Sequence, residues 1–163
     1  MTSSFVSRSG RGIFGFFLLL AALVALHAPL LRLPFIWDEA GYYIPAARDL
    51  FLTGSLIPHS TVSNAHPPLV LAWLALCWKV FGFSPLVART AMVAVAAFSL
   101  TGLYRLAKRS NNRSVAIGTV LLTALYPVFF AQSSLAHMDL AVAGLTFWAL
   151  RAYLDDRRWA TFC

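Results

Sequence analysis

The sequence predicts an all-α transmembrane protein with about four membrane-spanning helices. Of its 163 residues, 60% are hydrophobic and 12% are charged, whereas about a quarter of the residues in a soluble domain are charged. Several apolar runs approach the roughly 20 residues that a helix needs to cross a bilayer. Basic residues cluster at the ends of these runs, which is typical of membrane topology. This placement argues against nucleic-acid binding as the reason for the net charge of +7.

The apolar runs and basic clusters divide the chain into spans and loops. We predict a cytoplasmic N-terminus (1–12), TM1 (13–31), an extracytoplasmic loop (32–85), TM2 (86–104), a cytoplasmic loop (105–114), TM3 (115–135), an outer turn (136–139), TM4 (140–154) and a cytoplasmic end (155–163). This orientation leaves most of the 13 Lys and Arg residues in the cytoplasm, as the positive-inside rule requires. The alternative for residues 1–29 is a cleaved signal peptide, but no small-x-small cleavage site precedes the WDE segment.

The outer loop is predicted to contain two helices that lie along the membrane surface, at 39–52 and 67–81. Pro45 fits poorly inside the first helix, so we expect its first turn to be distorted, and Gly54 is suited to end it. The second helix is apolar but short. If it crossed the bilayer, the basic cluster at 105–113 would move outside, against the positive-inside rule.

Two neighbouring acids, Asp38 and Glu39, come directly after Phe35-Ile36-Trp37, close to the predicted membrane surface. A carboxylate that loses hydration is suited to act as a general base. The alternative is a structural one, in which Asp38 caps the following helix and the acids favour its positive end. The residue types by themselves leave both interpretations open.

Further candidates converge on the same predicted side of the membrane. His66 precedes Pro67-Pro68 and is a candidate to bind a metal or a phosphate, or else an exposed cap. Asp139 lies at the outer end of the third span, where an ionisable residue is often functional. Arg89 begins the second span and is a candidate to pair with one of the acids or to hold a phosphate; its alternative is an interfacial anchor. His27, inside the first span, is interpreted as a satisfied polar residue between helices.

Four segments occur in the order seen in GT-C fold glycosyltransferases, which the chain resembles: WDEAGYYIPAARDLFLTG, AHPPL, FGFSPLVAR and LAHMDLAVAGLTFWAL. The branch that it resembles contains bacterial relatives of protein O-mannosyltransferases and of the aminoarabinose transferase that modifies lipid A. The resemblance implies a multi-pass enzyme of the plasma (inner) membrane. Such an enzyme transfers a sugar from a polyprenyl-phosphate carrier to a lipid, glycan or protein acceptor on the extracytoplasmic side. Family members are longer, so we expect residues 1–163 to be an N-terminal piece that is inactive alone.

The resemblance implies roles for individual residues. It implies that Asp38 is the catalytic base, that Asp139 lines the active site as a catalytic residue, and that His66 helps to hold a phosphate or a divalent metal. Apart from the resemblance, we expect an inverting transfer in which Glu39 is also catalytic and Arg89 and Tyr42 bind substrate or phosphate. The chain departs from some members, which carry an arginine at the position of Gly41 or Tyr42, or a lysine at that of Pro67. Two other classes of function remain open, a transporter and a non-catalytic membrane assembly subunit. A transporter predicts acids in mid-span and interrupted helices.

Overall fold

The computed structural model describes residues 3–63 and 66–155, with side chains from residue 12 onward. Its elements are α1 (Ser3–His27), a π-helical turn (Glu39–Tyr43), α2 (Ile44–Thr53), α3 (Leu69–Phe81), α4 (Pro85–Ser110), α5 (Arg113–Leu125), α6 (Pro127–Gln132) and α7 (Asp139–Leu154). The described ranges contain helices and no strand, which agrees with the predicted all-α class. By length and composition, α4 is suited to cross a membrane, whereas the apolar part of α1, α3 and α5 are shorter apolar helices. The count of four spans therefore stays a prediction.

Helix α4 is the centre of the bundle and packs against α1, α3, α5 and α7. Helix α4 lies close to α7 where Ser99 faces Gly144: a Cβ atom on Gly144 would lie 3.1 Å from the Ser99 Cα atom. The Ser99 hydroxyl is buried and donates a hydrogen bond to the Leu140 carbonyl of α7. Small residues that let two backbones approach, together with a hydroxyl that bonds across, are the usual means of packing helices in membranes.

The predicted third span, 115–135, is not one continuous helix. It is divided into α5 and α6 at Tyr126–Pro127, where Tyr126 has an extended backbone (φ −64°, ψ 127°). Pro127 has no N–H to donate and disfavours a helical conformation in the residue before it, so the helix ends there and begins again. The predicted first span also ends early, since α1 stops at His27, two residues before Pro29.

His27 ties the end of α1 to α6. It is fully buried, and its ring stacks on Phe130 with 4.3 Å between ring centroids. The Nδ1 atom lies 2.9 Å from the Leu23 carbonyl oxygen, and the Nε2 atom lies 3.0 Å from the Phe130 carbonyl oxygen. The sequence-based interpretation of His27 as a satisfied polar residue between helices is thus confirmed.

The first outer helix has the distortion that Pro45 predicts. Glu39–Tyr43 forms a π-helical turn, in which the Ile44 N–H bonds to the Glu39 carbonyl, before α2 continues regularly to Thr53. Gly54 follows with φ +76°, a left-handed conformation that glycine adopts without strain. The second outer helix, α3, begins at Leu69 and not at residue 67. Helices α2 and α3 pack on each other, and α3 also packs on α4.

Candidate active site

Glu39 and Arg89 form a buried ion pair at the junction of the outer loop with α4. Glu39 is fully buried and Arg89 is 2% exposed. The Arg89 Nη2 atom lies 3.1 Å from Glu39 Oε2, and its Nη1 atom lies 3.5 Å from Oε1. The carboxylate also accepts hydrogen bonds from the backbone N–H groups of Ala136 (2.7 Å) and Ile36 (3.4 Å). Glu39 therefore joins the π-helical turn, α4 and the turn before α7.

The guanidinium of Arg89 has a partner for each of its five N–H groups. Besides the two bonds to Glu39, it donates to the carbonyls of Leu33 (3.0 Å), Pro34 (2.6 Å) and Ser134 (3.0 Å). These carbonyls belong to the segment after α1 and to the turn before α7. A guanidinium has five N–H donors, so none is left for a ligand.

This geometry revises two of the predicted roles. Of the two alternatives for Arg89, pairing with an acid is the one present, and phosphate binding is not supported because the side chain is buried and all its donors are used. The predicted catalytic role of Glu39 is also not supported, since a carboxylate without exposed surface has no access to a substrate hydroxyl. Both side chains hold the surrounding segments in place.

Asp38 differs from Glu39 in its exposure and in its hydrogen bonds. Its side chain is exposed, and it makes no capping hydrogen bond to the turn that follows, so the cap interpretation is not realised. Trp37, directly before it, has φ +48°, in the left-handed region that residues other than glycine adopt rarely. Backbone strain of this kind often occurs at functional sites. Here it is localised to the residue before the acidic pair.

The ring of Tyr43 is the point where the outer candidates meet. Its centroid lies 5.1 Å from that of Tyr42, 5.7 Å from that of His66 and 5.4 Å from that of His137. Burial is the main cause of a raised pKa of Tyr43, and the negative charges of Asp139 and Asp38 raise this pKa further. Both carboxylates therefore act on the same phenol.

His137 is oriented by a neighbour on the same turn. Its Nδ1 atom lies 2.9 Å from the Gln132 Oε1 atom, and an amide oxygen in that position accepts a hydrogen bond from an Nδ1–H group. The Nε2 atom is buried and has no hydrogen-bond partner among residues 12–63 and 66–155. With the proton on Nδ1, Nε2 carries a lone pair. The side chain thus offers a fixed hydrogen-bond acceptor beside Tyr43.

The remaining predicted site residues differ in accessibility. Asp139 is exposed in the first turn of α7, and His66 is exposed beside the tyrosine pair. Tyr42 is 8% exposed and forms part of the core between α2, α3 and α4, which leaves little of its surface for a substrate. No three His, Cys, Asp or Glu side chains in the described part of the chain lie close enough together to hold a metal ion. The metal at His66 therefore stays a prediction.

Two members of this cluster were not among the predicted site residues. Tyr43 directly follows Tyr42, and His137 lies two residues before Asp139 in the LAHMDL segment. In the sequence, these two residues are marked only by their position within the WDEAGYY and LAHMDL segments. Their roles depend on the π-helical turn and on the turn before α7, neither of which a periodicity argument specifies.

Residues 65–162 match the family described as dolichyl-phosphate-mannose-protein mannosyltransferase. The chain belongs to this family. Members of the mannosyltransferase family are membrane-integral glycosyltransferases of the GT-C type. No curated protein and no solved structure matches the chain significantly.

The mannosyltransferase match covers one part of the cluster around Tyr43 and leaves out the other. It includes His66, His137 and Asp139, and it also includes Arg89. It begins after the acidic pair and the two tyrosines. The assignment of a role to Asp38 therefore depends on the geometry around Tyr43 and on the resemblance of the WDEAGYY segment.

Proposed function

We propose that this protein contributes the acceptor-activating part of a membrane glycosyltransferase that takes a sugar from a polyprenyl-phosphate donor and passes it to an extracytoplasmic acceptor. Family membership supports glycosyl transfer and a lipid-phosphate sugar donor in general. The observation that carries the proposal is the difference between two adjacent acids: Asp38 is exposed beside the Tyr43 cluster, whereas Glu39 is fully buried in an ion pair.

In the proposed reaction Asp38 accepts the proton of an acceptor hydroxyl. The hydroxyl oxygen forms a bond to the anomeric carbon of the sugar, and the bond between that carbon and the phosphate oxygen breaks. The polyprenyl phosphate leaves with the electron pair, and the anomeric configuration is inverted because attack and departure occur on opposite faces. A single general base contributes about 10²- to 10⁴-fold to such a reaction.

Asp139, Tyr43 and His137 are proposed to position the acceptor next to Asp38. The Tyr43 phenol is protonated at neutral pH, as any tyrosine with a pKa of about 10 or above is, and burial and the charges of Asp139 and Asp38 raise its pKa further, so the phenol is a hydrogen-bond donor. His137 acts through Tyr43, on whose ring it packs at 5.4 Å between centroids, because its own Nε2 atom is buried. A substrate with several hydroxyl groups matches this mixture of donors and acceptors.

The leaving phosphate needs hydrogen-bond donors, and Arg89 has none left because it is fully engaged with Glu39 and three carbonyls. We propose His66 as the side chain of this cluster that contacts the donor phosphate, because it is exposed and lies 5.7 Å from both tyrosine rings, measured between centroids. No step through a metal is proposed, since the described residues do not form a metal-binding set.

The test uses the complete protein in membranes or detergent, supplied with polyprenyl-phosphate sugars. Asp38→Asn is expected to lower turnover by at least about 10²-fold while leaving the melting temperature close to that of the wild type. Arg48→Gln, which changes an exposed residue of α2, is the control for a charge change in the same loop. Near-normal turnover of Asp38→Asn would exclude Asp38 as the base.

One feature expected of a transporter is present, the interrupted helix at Tyr126–Pro127. Coupling ions at such breaks are bound by carboxylates or by free backbone carbonyls. In the described ranges no acidic residue lies in α5 or α6, and the Phe130 carbonyl is already within hydrogen-bonding distance of His27. The break is accounted for by Pro127, so we do not favour transport.

A further inference from the structure

A cavity lies at the end of the bundle away from the Tyr43 cluster. Its volume is about 850 Å³, and it is lined by five cations, namely Arg105, Lys108, Arg109, Arg113 and Arg151. We call it the basic cleft. Arg89 and Arg105 are 16 residues apart on α4, which corresponds to about 24 Å along a helix. The basic cleft is therefore separate from the site proposed for glycosyl transfer.

Among residues 12–63 and 66–155, two of the five cations of the basic cleft pair with a carboxylate and three do not. Arg109 donates to Asp155 at 3.1 Å, and Arg151 pairs with the same carboxylate. Arg105, Lys108 and Arg113 have no carboxylate partner among residues 12–63 and 66–155. Arg105 lies over the ring of Trp148 and Lys108 over that of Tyr104, at 4.8 Å and 5.7 Å from the ring centroids. Such contacts position a cation without cancelling its charge.

The beginning of α5 adds to this positive field. Arg113 is the first residue of α5, whose first turn contains no acidic residue. The N-terminal end of a helix carries partial positive charge and free N–H groups, so a cation there is unfavourable unless an anion is near. The positive-inside rule accounts for basic residues beside a membrane. It does not require that side chains from α4, α5 and α7 line one cavity.

We propose that the basic cleft binds a phosphate group, either the headgroup of an anionic phospholipid or a free phosphate. Arginine suits this role because its planar fork donates two parallel hydrogen bonds to phosphate oxygens. Three cations from two helices line the cavity without a carboxylate partner among residues 12–63 and 66–155, and the bound phosphate provides the negative charge that they lack there.

The experiment measures melting of residues 1–163, purified in a non-ionic detergent, with three additives: phosphatidylglycerol, phosphatidylcholine and inorganic phosphate. Phosphatidylglycerol or inorganic phosphate is expected to raise the melting temperature, and the effect is expected to decrease with added salt. The variant Arg105→Gln/Lys108→Gln/Arg113→Gln is expected to lose this stabilisation. The control Arg32→Gln/Arg48→Gln/Lys79→Gln removes the same charge from exposed positions outside the cleft and is expected to keep it.

The helical content of the triple variant is checked by circular dichroism. If that variant does not fold, a single substitution still tests the proposal. Lys108→Gln is expected to weaken binding by about tenfold, and Lys79→Gln to leave it unchanged.

Stabilisation by phosphatidylglycerol alone identifies a lipid headgroup, and stabilisation by inorganic phosphate identifies a free phosphate. Equal effects of phosphatidylcholine and phosphatidylglycerol without an effect of phosphate, an equal loss in both triple variants, or no stabilisation at all would overturn the proposal.

Discussion

Glu39 and Arg89 lie 50 residues apart in the chain, and their charged groups meet at 3.1 Å in the interior. Through this pair the segment after α1, the π-helical turn, α4 and the turn before α7 are held together. The same contacts leave the adjacent carboxylate of Asp38 outside. A structural acid and an accessible acid thus occupy consecutive positions.

Breaking the Glu39–Arg89 pair is expected to destabilise the fold strongly. Glu39→Gln or Arg89→Gln leaves the partner as an uncompensated buried charge, which costs about 3–5 kcal/mol. Thermal unfolding in detergent measures the loss. Asp38→Asn is the matched control, because it makes the same kind of change on the exposed neighbour and is expected to alter stability by less than about 0.5 kcal/mol.

The double variant Glu39→Gln/Arg89→Gln gives a second measurement on the same pair. Residues in direct contact are non-additive, so the double variant is expected to lose less stability than the sum of the single losses. Strict additivity, or a Glu39→Gln protein as stable as the wild type, would show that the pair does not organise the outer segments.

Tyr43 is expected to ionise at a higher pH than an ordinary tyrosine. Burial and the charges of Asp139 and Asp38 raise its pKa above the usual 10.0. A group whose folded pKa is raised contributes stability below its unfolded pKa and loses it as pH rises towards the folded pKa. Stability should therefore fall as pH rises above about 10, and Tyr43→Phe should remove this part of the loss.

An ultraviolet titration of the phenolate bands, compared with that of Tyr43→Phe, isolates the ionisation of Tyr43. Asp139→Asn is expected to lower the pKa of Tyr43, because one of the two negative charges that oppose the phenolate is gone. Asp155→Asn, at the basic cleft, is the control and should leave this titration unchanged. A tyrosine titration identical in the wild type and in Asp139→Asn would contradict the placement of Asp139 beside Tyr43.

Replacing glycine by alanine is expected to change the stability in opposite directions at two positions, one inside the contact between α4 and α7 and one outside it. Gly144→Ala places a Cβ atom against Ser99 and is expected to cost about 1–3 kcal/mol. Gly118→Ala in α5 meets nothing within 4 Å and should stabilise the helix by up to about 1 kcal/mol. The melting temperatures of the two variants show the sign of each stability change. Equal shifts of the same sign would mean that Ser99 and Gly144 are not in contact.

The predicted topology is tested by labelling single cysteines from outside the cell, after Cys77 and Cys163 have been replaced by serine. Ser63→Cys is expected to react with an impermeant reagent, and Asn111→Cys to be protected, because the basic cluster beside it favours the cytoplasm. Both positions are exposed in the structure, so reactivity reports the side of the membrane. The reverse pattern would invert the orientation.

Local features of the fold were predictable because they depend on neighbouring residues. Pro45 predicted the distorted turn, and Gly54 predicted the end of α2. Pro127 carries the same kind of signal, but the apolar run continues across it and therefore predicts a single span where the structure has α5 and α6. Apolar content predicts burial in a membrane, but it does not report whether the backbone stays helical.

The sequence by itself determined the helical class of the protein, the distorted turn and the end of its first outer helix, and the set of acidic and histidine residues from which a site is built. These depend on composition and on contacts within a few residues. Only the tertiary structure decided which acid is buried. Asp38 and Glu39 are adjacent and chemically alike, but a single partner, Arg89, and one backbone N–H at Ala136, 97 residues from Glu39, select between them. A long-range pairing of this kind leaves no trace in local periodicity, because a buried charge is stable only where distant segments supply its hydrogen bonds.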